Sequence, residues 1–252
     1  MNQDIVLITQ ARTGSKRLFK KIFLQINGKS ILRIHLERLL KSKFVKSIIV
    51  ATTINEEDKI VVKEAELLGL KSFQGSESDV LDRFYQSVCK EKPHWIVRVT
   101  SDCPLIDPEL IDQVIEFVQN NDVDYGSNVL LESFPDGQDI EVFKFSALEY
   151  AWKNAILNSE REHVTLYIRN NSDFNNGNIF KAINFNCEQN FGNVRMTVDE
   201  QADFEVIKLL IEKLGDDKSW IEYTNYIISN NLSFMNEKIT RNEGLLKSIK
   251  ND

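Results

Sequence analysis

The 252-residue sequence is short of most residues that announce a site at first sight. It holds three cysteines, Cys89, Cys103 and Cys187, widely spaced and odd in number. That excludes a disulfide framework and a zinc-thiolate pattern and fits a reducing cytoplasm. Only three histidines are present, His35, His94 and His163, which argues against a histidine-based zinc centre. Positive charge is also scarce: Lys+Arg number 31 against Asp+Glu 38, a net charge of −7. Such a balance argues against general binding to nucleic acid or an anionic membrane, so any phosphate binding must be local. No apolar run is long enough to cross a bilayer, and the N-terminus enters a strand without a signal peptide's basic and apolar regions. The expectation is a cytoplasmic protein of one domain, 1–252, without repeats or linkers. Two familiar phosphate motifs are missing as well. A Walker A loop ending at Gly28-Lys29-Ser30 would need glycine where Phe23 stands, and no G-x-G-x-x-G follows the first strand.

What is present begins at residues 5–21, IVLITQARTGSKRLFKK. Four apolar residues, Ile5 to Ile8, predict a strand buried on both faces, as in a parallel sheet. A loop of small residues follows, carrying Arg12, Arg17, Lys20 and Lys21. Such a loop at the carboxyl end of a buried strand is where α/β proteins hold phosphates. Ala11, Gly14 and Ser15 let the backbone turn and present N–H groups. Arg12, Arg17 and Lys21 can then reach the phosphates of a nucleoside triphosphate. The competing reading is a solvated loop decorated with cations.

Strand and helix alternate through the first half. Strands are predicted at 4–9, 47–51, 71–73 and 95–99, and helices at 31–42, 56–68 and 78–90. Gly69 marks a helix end, and Asp107-Pro108 starts a helix over 108–120. This pattern implies a doubly wound, mostly parallel α/β sheet. The rhythm changes after about residue 124. A strand, a turn at Pro135-Asp136-Gly137 and a strand over 140–143 are followed by helices over 145–157 and 160–170, the second with a Ser159–Glu162 capping box. Strands at 179–186 and 194–198 then precede helices over 200–214 and 219–230. Residues 130–190 therefore form an excursion, and the polar tail, 235–252, can be ordered only through contacts.

The loop A-R-T-G-S-K-R-L-F-K-K resembles that of the sugar-activating cytidylyltransferases, whose pattern is A-R-x-x-S-x-R-L-P-x-K. These include the enzymes that make CMP-3-deoxy-manno-octulosonate and CMP-sialic acid. The loop and the segments around it look like those of the SpsF-type branch of spore-coat polysaccharide biosynthesis. The resemblance continues through FQGSESDVLDRFY (73–85), IVRVTSDCPLIDP (96–108), FPDGQDIEVF (134–143), REHVTLYIRNN (161–171), RMTVDEQADFEVI (195–207) and RNEGLLKS (241–248). One departure stands out: Phe19-Lys20 replaces the usual Pro-Gly before Lys21. The resemblance implies a nucleotide-diphospho-sugar transferase-like fold, CTP and a sugar acceptor as substrates, Mg²⁺ as cofactor and a homodimer formed through the excursion. It also implies a nucleoside site near Ser76, Asp79 and Arg83, though Asp79 reads equally as a first-turn carboxylate and Arg83 as a surface ion-pair partner.

Asp102 and Asp199 each follow a predicted strand, and strand ends of one parallel sheet converge on one crevice. Two carboxylates plus substrate phosphates suit Mg²⁺, and the family's magnesium aspartates match these two residues. Their bland alternatives are a turn residue and a helix N-cap. Asp203 reads as a residue of the first helical turn or a support for Asp199. Cys103 is expected to pack in the interior and not to act as a nucleophile. In the excursion, Asn128, Asp136, Gln138, Asp139 and Glu141 offer hydrogen-bonding groups for a sugar, and His163 is a candidate for the site wall. A carboxylate on the acceptor would call for Arg or Lys; Lys144, Arg161 and Arg169 are available, and the sequence does not choose among them. Two rival functions remain open at this stage. Asp122-Val123-Asp124 has the spelling of a glycosyltransferase D-x-D, although it falls before a strand. A non-catalytic nucleotide-binding protein would keep the fold alone.

Overall fold

The computed structural model describes residues 4–15 and 17–252. Its centre is the first predicted strand, β1 (Ile5–Gln10). After it come β2 (Gln25–Ile26) and β3 (Lys29–Ser30), which pair as a small antiparallel ribbon apart from the main sheet. The main sheet adds β4 (Ser47–Thr53), β5 (Lys71–Gly75), β6 (Trp95–Thr100), β7 (Tyr125–Ser127), β8 (Glu141–Lys144) and β9 (Ala182–Asn184). Its seven strands lie in the order β5-β4-β1-β6-β8-β7-β9. β1 is flanked by parallel β4 and β6, which explains its unbroken apolar run; β8 runs against both its neighbours.

Alternate β1 side chains enter opposite layers. Leu7 joins a core with α1 (Ile31–Leu39), α2 (Lys59–Leu67) and α4 (Pro108–Asn120), through Leu36, Val61 and Val114. Ile8 joins the other face with α3 (Val80–Val88), α5 (Phe145–Asn154) and α7 (Leu166–Asn170), through Phe84, Leu148 and Ile168. A third cluster beside the ribbon packs α8 (Gln201–Leu214) and α9 (Trp220–Ser229) on Ile31, Leu105 and Met196. Among the described residues no helix is long and apolar enough to cross a membrane.

The helix starts follow their caps. Asp107 accepts from the Glu109 and Leu110 amides ahead of Pro108, and Ser219 and Glu222 cap α9 reciprocally. The excursion departs from expectation. The predicted 160–170 helix is two short ones, α6 (Asn158–Glu162) and α7, because Val164 between them takes a left-handed φ of 47°. A β-branched residue there is strained, and the break turns His163 and Thr165 toward the sheet's carboxyl edge. The expected Ser159–Glu162 box is replaced by Glu160, whose carboxylate accepts from the Ile156 and Leu157 amides at 3.2 and 3.3 Å. The predicted 179–186 strand shortens to β9, which pairs only with β7.

Residues 194–198 form no ladder strand. Their neighbour is the turn at 135–137, so they pair only at the bridge of Arg195 with Asp136. Gly137 makes this approach possible: at φ +107°, a Cβ would lie 2.6 Å from the Met196 carbonyl carbon. The tail is ordered by contacts, ending in α10 (Glu243–Lys250). Ser248 donates to Glu162, and the Asp252 carboxylate accepts from the Ser159 amide.

Candidate active site

The carboxyl end of β6, the start of β8 and Arg17 of the loop after β1 open into a cavity of about 220 Å³. Its rim is completed by the α6–α7 break, residues 195–199 and the first turn of α10.

The loop after β1 is pinned from below. The Thr13 amide and hydroxyl both donate to Asp58, at 2.7 and 2.8 Å, and Thr53 donates to the same buried carboxylate. Sequence reading missed Asp58, because it starts a helix 45 residues away and carries no motif. The buried Ala11 donates its amide to the Ala51 carbonyl, and the Ser15 amide reaches the Thr13 carbonyl. Gly14 is not the turning point: a Cβ there would meet nothing nearer than Glu77 at 3.6 Å. The left-handed residue is Lys20, at φ 48°. This is the position where the resembling family has glycine, and the left-handed bend here is one that glycine adopts freely.

The loop cations diverge. Arg12 turns away from the cavity to Glu77 at 2.9 Å. Near it, Arg83 is buried and donates to the Ser76 carbonyl at 2.6 Å; burial and the Arg12 charge lower its pKa to about 10. Asp79 caps α3 through the Asp82 amide and is gripped by Arg161 at 2.6 Å, while the Ser76 hydroxyl accepts from the Asp79 amide. Arg12, Ser76, Asp79 and Arg83 thus share one flank. Lys21 and Arg17 turn the other way. Lys21 lies 2.9 Å from Asp102 and 2.8 Å from Asp199, and Arg17 lies 2.7 Å from Asp199 and 3.5 Å from Glu243. Burial works against the Asp102 charge, but the Lys21 ammonium outweighs it and holds this carboxyl far below its usual range.

Asp102 and Asp199, 97 residues apart, therefore converge on one cation. Among the described residues no third His, Cys, Asp or Glu completes a ligand cluster around them. Two hard oxygen donors already facing a shared positive charge, with no further protein ligand, fit Mg²⁺, which takes its remaining ligands from phosphates and water.

Arg195, which sequence reading did not single out, ties Asp199 to the acids around it. It bonds Asp136, reaches Asp199 at 2.9 Å and Asp203 at 2.8 Å, and is itself buried. Asp203 also accepts from the Asp199 and Glu200 amides, so it supports Asp199 and closes the α8 N-terminus together. Burial and the charge of Asp139, only partly offset by Arg241 and Arg195, push Asp136 up to about 7. Arg241 of the tail holds Asp139 at 2.7 Å. Glu141 accepts from Tyr125 at 2.7 Å and Thr165 at 2.5 Å and pairs with Arg98. Asp136, Asp139, Glu141 and His163 line the cavity. Asn128 and Gln138 do not: both are fully buried, with their amides engaged by Gln138 O, Ile140 N, Asp107 N and Leu105 O. They brace the loop that carries the acids. Cys103 is buried 3.6 Å from an Asp102 oxygen, and burial plus that charge raise its thiol pKa well above the ordinary value, as befits a packing residue. Asp122 and Asp124 pair with Lys144 ahead of β7, at the opposite edge of the sheet from the cavity.

The cytidylyltransferase family model matches residues 6–237. The chain is 45% identical over 206 residues to the uncharacterized protein MJ1063 of Methanocaldococcus jannaschii, covering 80% of this chain and 81% of that one. It is 34% identical over 224 residues to the spore coat polysaccharide biosynthesis protein SpsF of Bacillus subtilis, covering 84% and 88%. The solved structure of a cytidylyltransferase from Leptospira borgpetersenii superposes with a TM-score of 0.87 at 31% identity, over 95% of this chain and 100% of that one. A CMP:2-keto-3-deoxy-manno-octonic acid synthetase complexed with CTP shares the fold, with a TM-score of 0.60 at 19% identity, over 83% of this chain and 99% of that one. A sheet of this order, a cation-bearing loop after β1 and two aspartates converging beyond β6 agree with that match: the chain belongs to the cytidylyltransferase family and is a CTP-dependent nucleotidyltransferase.

Proposed function

We propose that the protein joins CTP to an acidic sugar of the ulosonic type, giving a CMP-sugar and pyrophosphate for a surface polysaccharide or glycoconjugate. The observation that carries this reading is a cavity in which Asp102 and Asp199, held by Lys21 behind them, and Arg17 face a polar, acid-lined wall. Asp102 and Asp199 would hold Mg²⁺, which when bound supplies positive charge to the α-phosphate.

The chain's own residues do the rest. Lys21 and Arg17 stabilise charge on the leaving pyrophosphate, with Arg12 at the loop's outer flank. Ala11, Gly14 and Ser15 present backbone to the nucleotide, and Ser76, Asp79 and Arg83 border its nucleoside. Asp136, Asp139, Glu141 and His163 orient the acceptor, whose oxygen attacks the α-phosphorus in line, so that catalysis is positioning and electrostatics without a covalent enzyme intermediate. Residues 1–252 act as one nucleotidyltransferase domain in the cytoplasm. Two copies pair through the excursion, where Ile156 is 87% exposed and Tyr150, Leu157 and Phe174 of the same segment are exposed too.

The test is pyrophosphate release from CTP, UTP, ATP and GTP with Mg²⁺ and a panel of acidic and neutral sugars. Release with CTP and an acidic sugar supports the reading. Slow cleavage of a ready-made nucleotide sugar without CTP would instead favour a glycosyltransferase, and nucleotide binding without any release a non-catalytic protein.

A further inference from the structure

The cations around the cavity differ in one respect. Arg17 is paired with Asp199 and Glu243, Arg98 with Glu141, and Arg195 with Asp136, Asp199 and Asp203. Arg169, on α7 at the cavity wall, makes no ion pair and no side-chain hydrogen bond with any described residue. Glu141 lies on the same wall, and its oxygens already take Tyr125, Thr165 and Arg98. Tyr125, Glu141, Asp139 and Glu132 favour the Arg169 charge through space without an ion pair or hydrogen bond, so its five N–H donors are not committed within the described residues. His163, from the same α6–α7 break, lines the same wall, and its buried Nε2 has no hydrogen-bond partner among the described residues. The other two cations of the excursion are engaged elsewhere. Lys144 holds Asp122 and Asp124, and Arg161 grips Asp79 and the Trp152 carbonyl.

We infer that Arg169, with His163 beside it, is the subsite for a carboxylate of the acceptor, and that it sets the preference for acidic over neutral sugars. The inference rests on the cytidylyl-transfer reading for its context, but its geometry does not need CTP. A guanidinium fork matches the two oxygens of a carboxylate. The charge count also favours a monoanion over a phosphate ester. One guanidinium is unpaired, and burial, the largest influence on His163, lowers its pKa and keeps the imidazole neutral near pH 7.

The test is binding, followed by saturation-transfer NMR, of four probes to wild type, Arg169→Gln, Arg169→Lys and His163→Gln. The probes are 3-deoxy-manno-octulosonate and N-acetylneuraminate as carboxylates, N-acetylmannosamine as the neutral sugar and glucose 1-phosphate as the phosphate. The carboxylates are expected to bind wild type and to weaken by about 10- to 100-fold in Arg169→Gln. Arg169→Lys should restore part of that loss, and His163→Gln should lose less. CTP affinity, read by calorimetry, should stay within about twofold in every variant, which also shows that each one folds. Equal binding of the carboxylates to wild type and Arg169→Gln would overturn the inference, as would failure of both carboxylates to bind wild type or a preference for the phosphate. Arg169-dependent carboxylate binding in a protein that ignores CTP would sink the cytidylyl-transfer reading and leave the subsite standing.

Discussion

The two walls of the cavity solve the same electrostatic problem in opposite ways. On the loop side, Lys21, Arg17, Asp102, Asp199 and Arg195 are already paired with one another, so every strong charge is answered within the chain. On the α7 side, Arg169 makes no ion pair with the described residues and is favoured only through space by Glu141, Asp139 and Glu132, and the His163 Nε2 has no hydrogen-bond partner among them, its nearest acid being Glu162 at 3.9 Å. A self-paired wall is stable when empty, and a charged ligand must displace its internal partners to enter. An unpaired wall is preorganised for its ligand, and the folded chain bears the cost of holding it so.

The sharpest way to break this comparison is to remove one arginine from each wall. Arg195→Met strands Asp136, Asp203 and Asp199 around a buried site and should lower the unfolding free energy by about 3–5 kcal/mol. Arg169→Met removes a charge that no ion pair or side-chain hydrogen bond holds, only the through-space field of Glu141, Asp139 and Glu132, and should fall within about 1 kcal/mol of wild type, on either side. Urea unfolding of both variants checks the pair. Equal losses would mean that the two walls are not different in kind.

A second effect concerns what lies under the loop wall. His35 is fully buried between the Thr9 hydroxyl and the Cys103 carbonyl, each at 2.9 Å. The carbonyl can only accept, so Nδ1 carries the proton and Nε2 accepts from Thr9, a neutral tautomer assigned from its partners. Burial outweighs the carbonyl and lowers the His35 pKa from 6.5 to about 4. A histidine with a depressed folded pKa leaves stability intact above the unfolded value. Stability is then lost as pH falls from about 6.5 toward 4, by roughly 3 kcal/mol at the lower end. Thermal unfolding between pH 7 and 4 should show that slope in wild type and a flatter one in His35→Gln.

Lys21 tests the displacement idea directly. Its ammonium stands between the two carboxylates that would hold the metal. In Lys21→Met the carboxylates lose this internal competitor, and Mn²⁺ should bind about tenfold more tightly without nucleotide, as read by the paramagnetic relaxation of water. Unchanged or weaker Mn²⁺ binding would show that Lys21 orders the aspartates and does not compete for them.

How much of this was legible beforehand depended on range. β1, the start of α4 at Asp107-Pro108 and the end of α8 at Gly215 rest on local rules, and the structure follows them. The convergence of Asp102 and Asp199 was legible because strand ends of a parallel sheet share one edge. Arg98, Arg195 and Asp58 were not, because each is defined by partners 43, 59 and 45 residues away. The 194–198 segment is apolar and alternating like a strand, yet its neighbour is a turn, so no ladder forms. The choice among Lys144, Arg161 and Arg169 needed the structure for the same reason: what marks Arg169 is that no described residue forms an ion pair with it, which has no spelling.

The smallest effect bears on how the loop wall is built. Lys20 takes φ 48° and ψ 36° at the start of the turn Lys21–Phe23, and the Phe23 amide bonds back to its carbonyl at 2.8 Å. The left-handed region penalises any residue with a Cβ, whereas glycine enters it freely. Lys20→Gly should therefore relieve local strain, partly offset by the greater entropy that glycine gives the unfolded chain, for a net gain of about 0.5–1 kcal/mol. Lys20 is exposed, and its ammonium lies 5.2 Å from the Phe19 ring centroid, a weak contact that the substitution forfeits. If the self-paired wall depends on backbone shape and not on the Lys20 charge, Lys20→Gly should gain stability in urea unfolding while CTP affinity stays the same. A loss of affinity with the stability gain intact would make Lys20 a further phosphate-facing cation, and the loop wall would then hold one charge that it does not answer itself.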